Sequence, residues 1–152
     1  MGLRESFTEA LKASMKAGDA ARTSTLRMIL ARLKDVDIAA RPKGIDRVPD
    51  DEVIATLRGM VKSRQESVVL YRQGNRADLV AKEEAEIAVI ESFLPQTMDE
   101  AAMREAVEAA VAETGASSAR DMGRVMAALR ARHATVIDMA RAGAMVKARL
   151  AG

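Results

Sequence analysis

Four glutamates, Glu83, Glu84, Glu86 and Glu91, crowd the fourteen residues from Lys82 to Pro95, KEEAEIAVIESFLP. Carboxylates at this density could bridge metals or share acid–base work. A carboxylate-bridged metal site, however, draws on partner carboxylates and usually on His at helical spacing. The chain has one His, His133, remote in sequence, so no metal site and no cofactor is expected. His133 stands in RARHAT with no nucleophile motif around it, and nucleophilic catalysis needs a nucleophile, a base and an orienting acid. It is read as a surface or helix-end residue. Cys is absent, and neither GxGxxG nor GxxxxGK[ST] occurs, which removes thiol chemistry and the common phosphate loops. No catalytic residue is assigned.

A blander reading fits the glutamates better. At helical spacing Val80, Glu83, Glu86, Ile87, Ile90 and Leu94 share one side, so Glu83 and Glu86 sit among apolar neighbours. Upstream, Arg64 falls within the stripe of Leu57, Val61, Val68 and Tyr71. A charge on a buried face is tolerable only when paired and hydrogen-bonded. Arg64 is therefore predicted to bond Glu83 or Glu86 across a helical hairpin, as a structural ion pair.

The C-terminal third could bind a polyanion. From Ser118 to Gly152 seven bases face two acids, while the first 95 residues are close to neutral. A solvated helical surface would give the same count, and both readings stay open. Phe7, Tyr71 and Phe93 are the only aromatics, too few for a base-stacking platform. Gly59, Gly123 and Gly143 lie inside helical patterns, where each costs roughly 1 kcal/mol relative to Ala. Close helix contact or a local break would explain them. Gly123, in RDMGRVM, also neighbours bases able to approach a phosphate backbone.

These residues need helices to carry them. Gly18, Pro42, Gly44, Pro49, Gly74, Pro95 and Gly115 separate segments of helical period, and no sustained alternation of period two occurs. Seven helices are predicted, in an all-α fold. Leu3, Phe7, Leu11 and Met15 mark the first, and Leu26, Ile29, Leu30, Leu33 and Val36 the second. Asp19, Asp50, Asn75, Asp99 and Asp138 are the expected N-caps, and Ser118 with Asp121 makes a capping-box-like pair. Met98 and Met103 stand at the spacing of a hydrophobic staple. The expected organisation is an N-terminal four-helix domain over residues 1–95, containing a long hairpin, and a small three-helix domain over 96–152.

Hydrophobic residues are 49% and charged residues 30%, as in a folded soluble chain. No apolar run approaches the roughly 18 residues that span a bilayer. The opening MGLRESFTEA lacks the basic-then-apolar pattern of a signal peptide. A cytoplasmic, reducing location without a membrane partner is expected.

EEAEIAVIESFLPQ, then GASSARDMGRVMAAL, then VKARL resemble the YqeY family, of the GatB/YqeY group. MKAGDAARTSTLRMILARLKD and KSRQESVVLYRQGNRADLVAKEEAEI fit the same pattern, so the resemblance covers essentially the whole chain. It implies an all-α protein with a larger N-terminal and a smaller C-terminal helical part. It also implies similarity to the tail of the B subunit of glutamine-dependent aspartyl/glutamyl-tRNA amidotransferase, a tail that helps hold tRNA. Association with carbon–nitrogen ligase activity, with glutamine as amide donor, follows from the same resemblance. With no nucleophile motif, nucleotide loop or metal cluster, the chain is expected to assist such an enzyme rather than catalyse. Relatives commonly carry a Lys-Gly-Arg-Ala-Asp-like turn between the last two helices, where this chain reads ARHATVIDMARAG. Arg124 stands where the family often has Lys. The RNA-binding candidates are therefore Arg120, Arg124, Lys147 and Arg149. Two functions follow: an accessory module that grips tRNA by shape and charge, or a protein-interaction module, with amidotransferase subunits or another protein as partner and no nucleic acid.

Overall fold

In the computed structural model, which describes residues 2–151, helix boundaries fall where the backbone groups at the ends find partners. Helix α1 (Leu3–Ala17) stops at Gly18, whose φ of 70° is left-handed and costs a glycine little. Asp19 then caps α2 (Ala20–Ala40), its side chain accepting from the Arg22 N–H. A short 3₁₀ turn, Arg41–Lys43, leads into the loop before α3 (Asp50–Gln73) and α4 (Ala77–Glu91). Helix α5 (Glu100–Thr114) is capped by Asp99, which accepts from the Ala102 N–H at 2.7 Å. A second 3₁₀ turn, Ala119–Asp121, precedes α6 (Met122–His133), and α7 (Met139–Ala151) closes the chain. Asp138 caps α7 through the N–H groups of Ala140 and Arg141. Seven α-helices and no strand among the described residues make the fold all-α, as the periodicity predicts.

Three local expectations are corrected. Asp50 is the first helical residue of α3 and Pro49 takes the cap position, so Asp50 acts on the dipole of the first turn rather than as a cap. Asn75 adopts a left-handed φ of 56° between α3 and α4, and Arg76 precedes α4 instead. Met15 is 55% exposed, while Ser14 is buried. Residues four apart drift by about 40° per step, so Met15 has rotated about 120° from Leu3. Ser14, seven residues after Phe7, stays on its face, and its hydroxyl meets that of Thr23 at 2.8 Å.

The described chain divides into two compact units, Met1–Leu94 and Pro95–Gly152. In the first, α3 and α4 pack along each other, α1 packs on α2, and α2 also meets α4. Phe7, Leu26, Ile29, Val53, Leu57 and Ile90 are completely buried in its core. Phe93 and Phe7 meet in a T-shaped arrangement, 4.9 Å between ring centroids, a favourable aromatic geometry. In the second unit, Met103, Val107, Val125, Leu129, Ala142 and Val146 form the core shared by α5, α6 and α7. Met98 packs on the same cluster as Met103, and its N–H donates to the Val136 carbonyl at 2.8 Å.

A buried polar clamp fixes the first unit. Arg4 of α1 donates to both carboxylate oxygens of Asp37 on α2, at 2.9 and 2.8 Å. The same guanidinium donates to the Val48 carbonyl at 3.0 Å, and the Val48 N–H donates to Asp37 at 2.9 Å. The bonds from Arg4 hold the Asp37 carboxyl below the usual carboxylate range, against the upward push of burial. The clamp seats the loop before α3 on α1 and α2.

Candidate nucleic-acid interface

The ion pair on the hairpin faces has clear geometry. Arg64 Nε donates to Glu86 Oε2 at 2.9 Å, with both side chains about 15% exposed (16% and 15%). The guanidinium also donates to the Met60 carbonyl at 3.2 Å and approaches the Met28 sulfur at 3.7 Å. Of the two acids it is Glu86 that Arg64 reaches; Glu83 is half-buried and has no ion-pair partner among the described residues. The remaining acids face outward, and Glu84 pairs with Arg72 at the exposed end of the hairpin. No group of three metal-binding side chains comes together among the described residues.

The four C-terminal candidates do not form one patch. Arg124 is engaged by its own unit: it donates to the Thr114 carbonyl at 2.9 Å and to Asp121 at 2.5 Å. Asp121 is pushed down to about 2 by the Ser117 N–H first, then by Arg124 and the Ser118 N–H. Arg149 reaches across to α5 and bonds Glu108 at 2.6 Å. Lys147 lies about 160° round α7 from Arg149, so the two project to opposite sides. Arg120 and Lys147 remain exposed, with no ion pair among the described residues. The second unit as a whole has eight bases and seven acids. A count that begins at Ser118 omits α5, whose Glu100, Glu108 and Glu113 pair with Arg104, Arg149 and Arg132. His133 ends α6, and its carbonyl accepts from the Val136 and Ile137 N–H groups. Gly123 and Gly59 have nothing within 4 Å of an added Cβ, which removes close contact as their reason. Gly143 does touch, with the Met126 methyl at 3.8 Å.

A row of bases without ion-pair partners among the described residues lies in the first unit. Between Ala20 and Val48 seven bases face three acids, and one of those acids, Asp37, is buried in the clamp. Arg27, Lys34 and Arg41 recur every seven residues along α2 and its C-cap, all exposed. Heptad spacing puts them on one edge, about 10 Å apart along the axis. The exposed acid of α2, Asp35, stands about 100° away from Lys34. The sequence pattern contained this row, but near-neutrality of the first 95 residues hid it. The acids that balance the sum, Asp50, Asp51 and Glu52 among them, sit on α3.

Comparison with known proteins places the chain. A model of Yqey-like proteins matches residues 4–150. Curated relatives are named altered inheritance of mitochondria protein 41, mitochondrial. The protein of that name from Lachancea thermotolerans is 34% identical over 86 residues, 57% of this chain and 44% of that protein. That from Kluyveromyces lactis is 34% identical over 103 residues, covering 68% and 53%. The one from Pyrenophora tritici-repentis is 29% identical over 127 residues, covering 80% and 68%. The chain thus spans about half the length of the first two. The names of these relatives, all called mitochondrial, overturn the expectation of a cytoplasmic location. A chain without Cys carries no record of redox compartment, so composition gives no support to a reducing location. Among the described residues no helix is long and apolar enough to cross a membrane. With its model matched across nearly the whole chain, the protein belongs to the YqeY family.

Proposed function

We propose that the protein is an RNA-binding accessory module, with tRNA as its RNA. The observation that carries this reading is the exposed row Arg27, Lys34 and Arg41 on one edge of α2. A row of bases along a rigid helix suits a phosphate backbone, and with few aromatics the contact is one of charge and shape. Of the C-terminal candidates, Arg124 and Arg149 are the weaker, because each already answers a carboxylate, while Arg120 and Lys147 are open. In this reading the chain serves glutamine-dependent amidotransferase by holding tRNA and performs no carbon–nitrogen ligation itself. Titration of tRNA against salt tests it. Arg27→Glu should weaken binding and lower the slope of log affinity against log salt by about 1 or more. Affinity independent of salt, or unchanged in Arg27→Glu, refutes the reading.

A second reading has its own observation. Val69 and Leu70, 53% and 66% exposed near the end of α3, present apolar surface beyond the core of the first unit. With the balanced charges of the second unit, this favours a protein partner. Co-purification of a protein that Leu70→Asp abolishes, with tRNA binding absent, would establish it in place of RNA.

A further inference from the structure

The end of α2 and the loop behind it enclose, against α1, a cleft of about 340 Å³. Arg4, Lys34, Arg41 and Arg47 line it together with the acids Asp37 and Asp46. The charges are not equivalent. Arg4 and Asp37 neutralise each other in the clamp. That leaves Lys34, Arg41 and Arg47 against Asp46 alone, and none of the three has an ion-pair partner among the described residues. The negative end of a helix dipole attracts bases to its last turn, which accounts for Arg41. It does not account for Arg47, which lies in the loop. Arg47 reaches the cleft because its neighbour Val48 is tied through both its N–H and its carbonyl to Asp37 and Arg4. The clamp thus fixes the loop that brings Arg47 to the same hollow as Lys34 and Arg41.

We propose that this cleft binds a phosphate group presented without its base, either a free polyphosphate such as pyrophosphate or the sugar–phosphate backbone of an RNA. Paired Arg forks with a Lys point charge are the donor set that phosphate oxygens take. The volume lies at the small end of ligand sites and suits a compact anion. No aromatic side chain lines the cleft, so no base is stacked there. The inference does not depend on the RNA reading, since a free anion would satisfy the same residues.

The test titrates the whole chain at constant ionic strength with inorganic phosphate, with pyrophosphate and with tRNA, using calorimetry for affinity and amide NMR for location. Pyrophosphate should bind saturably and more tightly than phosphate, shifting amides near residues 34, 41 and 47. Arg41→Gln and Arg47→Gln should each lose roughly tenfold in pyrophosphate affinity. Asp46→Asn should gain affinity, and Arg130→Gln, on α6, should leave it unchanged. Shifts spread over all exposed bases, or full affinity in the Arg41→Gln/Arg47→Gln double variant, overturn the site. If the double variant loses tRNA as well as pyrophosphate, the phosphate is that of RNA; if it keeps tRNA and loses pyrophosphate, the ligand is a free anion. Pyrophosphate binding with these dependences but no tRNA binding supports the cleft and removes the RNA reading. Binding of tRNA that depends on Arg27, with no saturable pyrophosphate binding, overturns the cleft alone.

Discussion

The two units differ in where their charged and polar pairs lie. The first buries polar groups: Arg4 with Asp37, Arg64 with Glu86, and Ser14 with Thr23 all sit in or beside its core. Among its described residues the second buries only apolar side chains, and most of its ion pairs lie on the surface, as in Arg149 with Glu108 at 47% and 51% exposure. Buried pairs make register costly to change, because any slip strands a charge away from water. Surface pairs add little to stability, but they occupy bases that would otherwise meet a ligand. The difference explains why a bare count of basic residues does not show which of them stand free of acids. In the second unit three arginines answer acids on α5, while in the first the row on α2 is left open.

That contrast can be broken by substitution, starting with the largest effect. Leu129→Ala, in the core of the second unit, should cost about 3–5 kcal/mol by chemical denaturation, since the buried core of that unit is apolar packing alone. Hydrogen exchange should then rise in α5 to α7 while α1 to α4 keep their protection. Asp37→Asn should cost about 2–3 kcal/mol in the first unit, below the full value for a broken buried pair because Arg4 is 25% exposed. A loss under about 0.5 kcal/mol would mean that the clamp is ornamental. Glu108→Gln should cost no more than about 0.5 kcal/mol, the range of exposed pairs.

Acid sharpens the same distinction. The Asp37 carboxyl is depressed below its ordinary 3.8, chiefly by hydrogen bonds from Arg4. Its contribution is therefore present above that ordinary value and is lost as pH falls through the lower folded one. Exchange protection at α1 and the loop before α3 should decline from about pH 4 downward, and Asp37→Asn should remove that part of the decline.

Much of this was legible in the sequence because helical period and caps are local. Asp19, Asp99 and Asp138 cap where their position before an apolar run predicts, and Gly18 and Gly115 stop their helices in left-handed geometry. The reach of Arg64 to Glu86 follows from asking which charges share an apolar face. The same question put to α1 and α2 would have found the clamp: Arg4 lies three residues before Phe7, and Asp37 four after Leu33. What could not be read was which long-range partner each exposed base would meet. Arg149 and Glu108 are 41 residues apart, and their meeting depends on how α7 settles on α5.

The bond from Arg4 to Val48 joins residues 44 apart. Contacts of such separation carry the closure entropy of the whole intervening chain and form after local helices and hairpins. The clamp therefore belongs on the native side of the folding barrier, where an interaction slows unfolding far more than it speeds folding. Stopped-flow measurements should show Asp37→Asn accelerating unfolding with refolding nearly unchanged. On that account the latch governs how long the loop, and the bases it presents, stay in place once formed.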